Sequence, residues 1–124
     1  MANIKFYRCD VCSNIMVLLL KKGVKKACCG QNMTVLEPNS TDGAHEEHIP
    51  VINRDNGTIH VKVGETPHPM LPEHYIEIIT IDAADKTEIA YLAPGKEPKA
   101  DFTDNGSGTV YEYCSVHGLW KFDF

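Results

Sequence analysis

Near the C-terminus, Tyr113-Cys114-Ser115-Val116-His117-Gly118-Leu119-Trp120 sets a thiol and an imidazole three residues apart, with Gly118 to let the backbone turn. Both are ligands for soft and borderline metals, so at this spacing they can grip one ion together. Three further histidines, His48, His68 and His74, stand in Pro-marked or strand-edge contexts that suit a ligand better than a core residue. His48 precedes Ile49-Pro50 at the start of a strand. His68 lies between Pro67 and Pro69, whose rings hold the backbone extended and leave the imidazole few conformations to lose on binding. His74 opens the next strand, so Pro69-Met70-Leu71-Pro72 makes a tight excursion that can bring both rings to one point. Four imidazoles and one thiolate make a five-coordinate centre with one position open, which is how a redox or Lewis-acid site is built and not a structural one. Singly, each is more often an ordinary polar loop residue; five of them at loop positions of one small domain reverse that balance in favour of ligation.

A second set of ligands is confined to the first 30 residues: Cys9-Asp10-Val11-Cys12 and, after a return past Gly23, Cys28-Cys29-Gly30. Four thiolates suffice for a tetrahedral site, in a segment too small to hold itself together by hydrophobic burial. Ile4 to Arg8 reads as a short strand and Ile15 to Lys22 as a second. Cys28 and Cys29 are adjacent, and consecutive residues of an extended backbone point to opposite sides, so both reach one ion only if the chain bends there. Gly30 supplies some of that freedom. From spacing alone zinc and iron both fit, whereas a disulfide between adjacent cysteines is strained. Cys-x2-Cys followed at this distance by Cys-Cys-Gly resembles the desulforedoxin module, which implies iron held by Cys9, Cys12, Cys28 and Cys29 as an electron-transfer centre.

These ligands need a frame. Glu37-Pro38-Asn39-Ser40-Thr41-Asp42-Gly43 is rich in turn formers and reads as a linker, placing a metal module at 1–36 and a second domain at 37–124. In the second domain short strands follow one another: Ile49 to Arg54, the turn Asp55-Asn56-Gly57, Thr58 to Val63, His74 to Ile81, Thr87 to Leu92, Lys99 to Thr103, Thr109 to Ser115 and Leu119 to Phe124. The fold class is therefore mainly β, with a small four-cysteine metal module followed by an immunoglobulin-like seven-stranded β-sandwich. In Ile59-His60-Val61-Lys62-Val63 the alternation puts His60 on the solvent face with Lys62. His45 reads as solvated, a bystander base at most.

Five cysteines cannot complete a disulfide framework, and no basic, apolar and small-residue sequence of a signal peptide opens the chain, so the reading is cytoplasmic with thiols reduced. The longest apolar run, Ile15 to Leu20, is too short to span a membrane. Residues 1–36 carry six cations against Asp10 alone, while the rest has 6 basic and 16 acidic residues. That split steers an acidic partner to the N-terminal end, or simply solubilises a small module. The cations are not interleaved with aromatics or spread along a phosphate track, which argues against nucleic acid.

The whole chain resembles desulfoferrodoxin, the two-centre form of superoxide reductase. The resemblance is carried by Glu46-Glu47-His48-Ile49-Pro50-Val51, by Val63-Gly64 leading to His68-Pro69-Met70, by Glu73-His74-Tyr75-Ile76 and by the Cys114 to Trp120 segment. It implies two irons per chain, the second with His48, His68, His74 and His117 as equatorial ligands and Cys114 as the axial thiolate. The implied reaction is the one-electron reduction of superoxide to hydrogen peroxide, with Glu46 and Cys114 as the catalytic residues. Glu46 matches the glutamate that takes the sixth position of the oxidised iron. A rubredoxin-like electron donor and a homodimer follow by the same analogy. An electron carrier or a structural metal module without turnover is the alternative. One position departs: the family pattern reads Glu-Lys-His, and its lysine helps attract superoxide, where this chain has Glu47. One unit charge about 8 Å from the substrate is worth about 0.5 kcal/mol in water, so the reversal costs about two- to five-fold in encounter rate, about fivefold unscreened and about twofold at physiological salt. Lys121 and Lys62 are the candidate substitutes.

Overall fold

Alternation of burial sets the first strand of the chain: in β1 (Lys5–Arg8) Phe6 is buried and Lys5 exposed. The computed structural model describes residues 4–23 and 27–124. Lys25 and Lys26, counted among the N-terminal cations, lie outside the described residues. Two compact units are present, Met1–Glu37 and Pro38–Phe124.

In the first unit β1 pairs antiparallel with β2 (Ile15–Leu18), Lys5 opposite Leu18 and Arg8 opposite Ile15. The second strand was expected to run on to Lys22. It ends instead where its partner begins, leaving Leu19 and Leu20 exposed. Next, β3 (Ala27–Cys28) and β4 (Gln31–Asn32) form a minimal hairpin, and β5 (Thr34–Val35) adds to the other edge of β1. Ile4, Phe6, Cys9 and Met33 are the buried apolar residues described here. So small a core leaves the unit dependent on a further tie.

The second unit begins with a turn of helix, α1 (His45–His48), followed by β6 (Pro50–Asp55), β7 (Thr58–Val63), β8 (Ile76–Ala83), β9 (Lys86–Tyr91), β10 (Lys99–Thr103), β11 (Gly108–Cys114) and β12 (Gly118–Asp123). The helix was not anticipated, and His48 ends it where a strand start was expected. The seven strands form two antiparallel sheets, β10-β7-β6 and β12-β11-β8-β9. Asn56 and Gly57, both at positive φ (50° and 80°), turn β6 into β7, a two-residue connection whose twist matches the strands. Ile59, Val61 and Val63 of β7 meet Ile76, Ile79 and Ile81 of β8, Phe102 and Val110 in the apolar core. His60 and Lys62 take the opposite face, as the alternation requires, and His60 pairs there with Asp101 at 2.8 Å. Among the described residues no helix is long and apolar enough to cross a membrane.

Candidate metal centres

The four N-terminal cysteines converge because of two local turns. Cys9 closes β1, and its carbonyl accepts the amide of Ser13, a residue at φ 66°. The Cys12 amide points to the Cys9 sulfur at 3.5 Å. The adjacent pair is resolved by the β3–β4 hairpin: Cys28 ends β3, while Cys29 and Gly30 are its two turn residues at φ 53° and 79°. The left-handed bend falls on Cys29 itself as well as on the glycine, so the two thiols do not diverge as they would on a strand. Sulfur separations are 3.6 Å for Cys12–Cys28 and 3.9 Å for Cys28–Cys29. A tetrahedron with metal–sulfur bonds of about 2.3 Å has edges of about 3.8 Å. The same separations are far beyond a disulfide bond, and all five cysteines of the chain are free. The Cys12 amide pulls the Cys9 thiol down to about 7, while hydrogen bonding with Cys12 and then Cys28 pushes Cys29 up to about 12. Thiols this close ionise together only around a cation, so the donors fit a tetrahedral thiolate-binding metal.

The other group comprises His48, His68, His74, Cys114 and His117, whose ligand atoms lie within 4.8 Å of one another. Their rings close a cycle: the centroids of His48–His68, His68–His74, His74–His117 and His117–His48 are 4.7, 4.7, 5.0 and 4.8 Å apart, each ring steeply inclined to the next. Such a cycle is the outline of a square of nitrogen donors. Cys114 Sγ approaches His68 Nε2 at 3.4 Å and His117 Nδ1 at 3.9 Å, so the thiol stands beside the rings as a fifth potential donor.

Hydrogen bonds fix which nitrogens face inward. His48 Nδ1 lies 2.8 Å from the Ala44 carbonyl and His68 Nδ1 2.7 Å from the Pro69 carbonyl, and a carbonyl only accepts, so both Nδ1 atoms carry the proton. Burial lowers both imidazoles, His68 to about 4, so each ring is neutral at pH 7. Their Nε2 lone pairs then face each other at 3.2 Å. A cation between them turns that repulsion into ligation. His74 Nε2 is likewise buried without a hydrogen-bond partner among the described residues, as an inward-facing donor would be. Five such donors exceed the four of a structural zinc site, and a metal held by all of them could still take a further, non-protein ligand.

A register shift between Tyr113 and Cys114 breaks the β11–β8 pairing, so that Tyr113 faces Ile78 and Cys114 faces Ile76. Bulges of this kind re-aim side chains next to functional sites, and Cys114 is fully buried after it. Burial raises its thiol, while the amides of His117 and Val116 lower it; the His117 amide donates to Sγ at 3.3 Å. His74 does not open the strand as expected. It bridges Leu71 across the tight excursion, with β8 starting at Ile76.

Glu46 and Glu47 are the middle residues of α1. Glu46 is exposed and lines a cleft of about 610 Å³ with His45, Ile49, Pro50 and Phe122, and it is not one of the five converging residues. The charge of Glu47 acts on His48, opposing the lowering by burial. Of the candidate substitutes for the family lysine, Lys121 pairs with Asp123 at 3.0 Å and Lys62 faces Lys99 across the β7–β10 ladder. Two features escaped the sequence reading. Trp120, the chain's one tryptophan, stacks on His48 with centroids 4.8 Å apart and touches His45 edge-on at 5.5 Å. Glu112, on β11 two residues before Cys114, is fully buried, and burial pushes its carboxyl well above the usual range. Glu112 carries no local motif; the Trp120 position had a signal, an aromatic three residues beyond a candidate ligand.

A family model for desulfoferrodoxin matches residues 40–123. The chain is 44% identical to the desulfoferrodoxin of Clostridium acetobutylicum over 112 residues, 90% of each chain. It is 37% identical to that of Nitratidesulfovibrio vulgaris over 118 residues, 94% of each. Among solved structures, the superoxide reductase of Treponema pallidum superposes with a TM-score of 0.78 at 26% identity, covering 97% of this chain and 98% of that one. The superoxide reductase (1Fe-SOR) of Giardia intestinalis matches 64% of this chain and 97% of its own length, with a TM-score of 0.57 at 25% identity. By its sequence and by the fold that frames both metal-binding clusters, the chain belongs to the desulfoferrodoxin family.

Proposed function

We propose that this chain is a superoxide reductase: superoxide, one electron and two protons give hydrogen peroxide. The residues that would hold the iron are His48, His68, His74 and His117, whose rings close a cycle, and Cys114. The observation that carries the reading is this closed ring of imidazoles capped by a buried thiol, with the His48 and His68 lone pairs aimed at each other. Its likeness to the Treponema pallidum superoxide reductase along nearly the whole chain supports the same activity. Iron bound here supplies the electron. The protein's part is positional and electrostatic. Backbone carbonyls hold two imidazoles in one tautomer, and the His117 amide steadies the charge on Cys114. Glu46, exposed on the helix that ends at His48, is the carboxylate that would be available to bind the iron once it is oxidised.

The four cysteines Cys9, Cys12, Cys28 and Cys29 hold the second iron, which serves electron transfer. Residues 1–36 form its desulforedoxin-like module and 37–124 the reductase domain. A rubredoxin-like protein returns the electron from outside. We place the protein in the cytoplasm, where its five free thiols stay reduced. Two copies pair, as exposed edges such as β9, with Ile89 and Tyr91 in the open, favour.

The test is Cys114→Ser. Superoxide reduction is lost while the absorption of the four-cysteine centre remains. Full activity in this variant contradicts the assignment. A reduced wild-type site that binds neither small anions nor nitric oxide indicates an electron carrier instead.

A further inference from the structure

The polar stretch before α1 has the composition of a linker, yet it is tied down along its length. Asn39, at φ 59°, sits in a turn that lies beside β12. Its amide donates to the Leu119 carbonyl at 3.0 Å, the Lys121 amide donates to Asn39 Oδ1 at 2.8 Å, and Asn39 Nδ2 donates to the Lys121 carbonyl at 3.3 Å. Two residues on, the Thr41 hydroxyl donates to the His117 carbonyl, which also accepts from Trp120 Nε1 at 3.1 Å. The Thr41 methyl faces Gly118. Gly43 lies so close to Trp120 and His48 that a Cβ there would stand 3.0 Å from the indole and 3.2 Å from the imidazole. Ala44 then accepts the proton of His48 Nδ1.

The stretch thus reaches His48 at its ring and His117 at its main-chain carbonyl, two residues whose rings are 4.8 Å apart. The indole of Trp120, which Gly43 also approaches, stacks on the same imidazole.

We infer that residues 39–44 form a strap that positions His48 and His117 as a pair, with Asn39 as its anchor on β12 and Thr41 as its hold on the His117 turn. The strap acts on the ring of His48 and on the backbone that carries His117; Thr41 and Asn39 are positioning residues. Groups behind metal ligands commonly govern affinity by about 10- to 100-fold when removed. The inference rests on the reading of His48 and His117 as ligands, and the four-cysteine centre of the same chain serves as an internal control.

The test uses the full iron-loaded chain with a ferrous chelator in excess, following iron loss from each centre by its own absorption band. Thr41→Val and Asn39→Ala release the histidine-bound iron at least tenfold faster, with the four-cysteine iron unchanged. Thr41→Ser, which keeps the hydroxyl, restores the wild-type rate. The electron paramagnetic resonance line shape of the oxidised histidine site changes in Thr41→Val and returns in Thr41→Ser. Unchanged release in both Thr41→Val and Asn39→Ala overturns the strap while leaving the ligand assignment standing. So does equal acceleration at both centres, which marks general destabilisation, or a loss that Thr41→Ser does not rescue. Wild-type protein that holds no iron at the histidine site overturns the ligand assignment and the strap with it.

Discussion

Gly64 is the position where one methyl group should disturb the histidine centre from outside it. The glycine lies under α1, and a Cβ built on it would stand 2.7 Å from the Glu46 carbonyl oxygen, 3.0 Å from that of Ile49 and 3.1 Å from the carbonyl carbon of Glu47. Ordinary contact begins near 3.4 Å, so Gly64→Ala requires α1 to retreat by about 0.7 Å. The Glu46 carbonyl also accepts the Thr66 amide at 2.9 Å, which ties the helix to the same loop and restricts where it can go. His48 ends this helix and is held from above by the Ala44 carbonyl and Trp120, so the displacement is carried into the imidazole. A shift of that size is about a third of a metal–nitrogen bond of about 2.1 Å. Overpacking of this kind costs about 1–3 kcal/mol, which, taken up by the centre, is roughly a 5- to 150-fold loss in metal affinity. The assay is iron retention against a chelator, read separately at the two centres, together with the rate of superoxide reduction. The expected result is faster loss from the histidine centre alone and a lower rate. Wild-type retention and rate in Gly64→Ala would refute the argument that α1 is fixed by this contact.

Three further outcomes follow from the same geometry. Cys12→Ser should remove the four-cysteine centre and spare most superoxide reduction driven by a direct chemical reductant; lost turnover would show that the two centres do not divide the work as proposed. Glu47→Lys should raise the rate constant for superoxide about fivefold at low ionic strength, with the gain shrinking toward about twofold as salt is added. A gain independent of salt would mean that charge is not its cause. Asp104 is held down at about 2 by the guanidinium of Arg54, whose Nε and Nη2 each lie 2.8 Å from a carboxylate oxygen. Because this folded value lies below the ordinary 3.8, the pair stabilises the fold above about pH 4 and ceases to as the pH falls through about 2. Thermal unfolding should therefore show Asp104→Asn less stable at neutral pH, with the difference closing toward pH 2; a constant difference would count against the pairing.

Strands were legible wherever a single face is buried. The alternation in Ile59 to Val63 placed β7 and turned His60 outward, and Asn56-Gly57 marked its hairpin. The residues that converge in the two clusters were legible because prolines and turn residues isolate them from any apolar pattern. What was hidden depends on tertiary contacts. The one-turn helix at His45–His48 is too short for a periodic signal, and it forms over Gly64. The register shift that buries Cys114 is a property of the β11–β8 ladder and leaves no mark in the local sequence. Cys29 adopts a left-handed turn that β-carbon sterics disfavour, and the four-cysteine cluster is what that bend makes possible. Asn39 and Thr41 have turn-forming composition, so nothing local announces their bonds to Lys121 and His117.

Metal content with visible absorption, before and after mild oxidation, tests the central claim most directly. The account predicts two irons per chain and a second thiolate-to-iron band that appears on oxidation and is absent from Cys114→Ser. Iron confined to the four-cysteine site, or zinc in both, would contradict it.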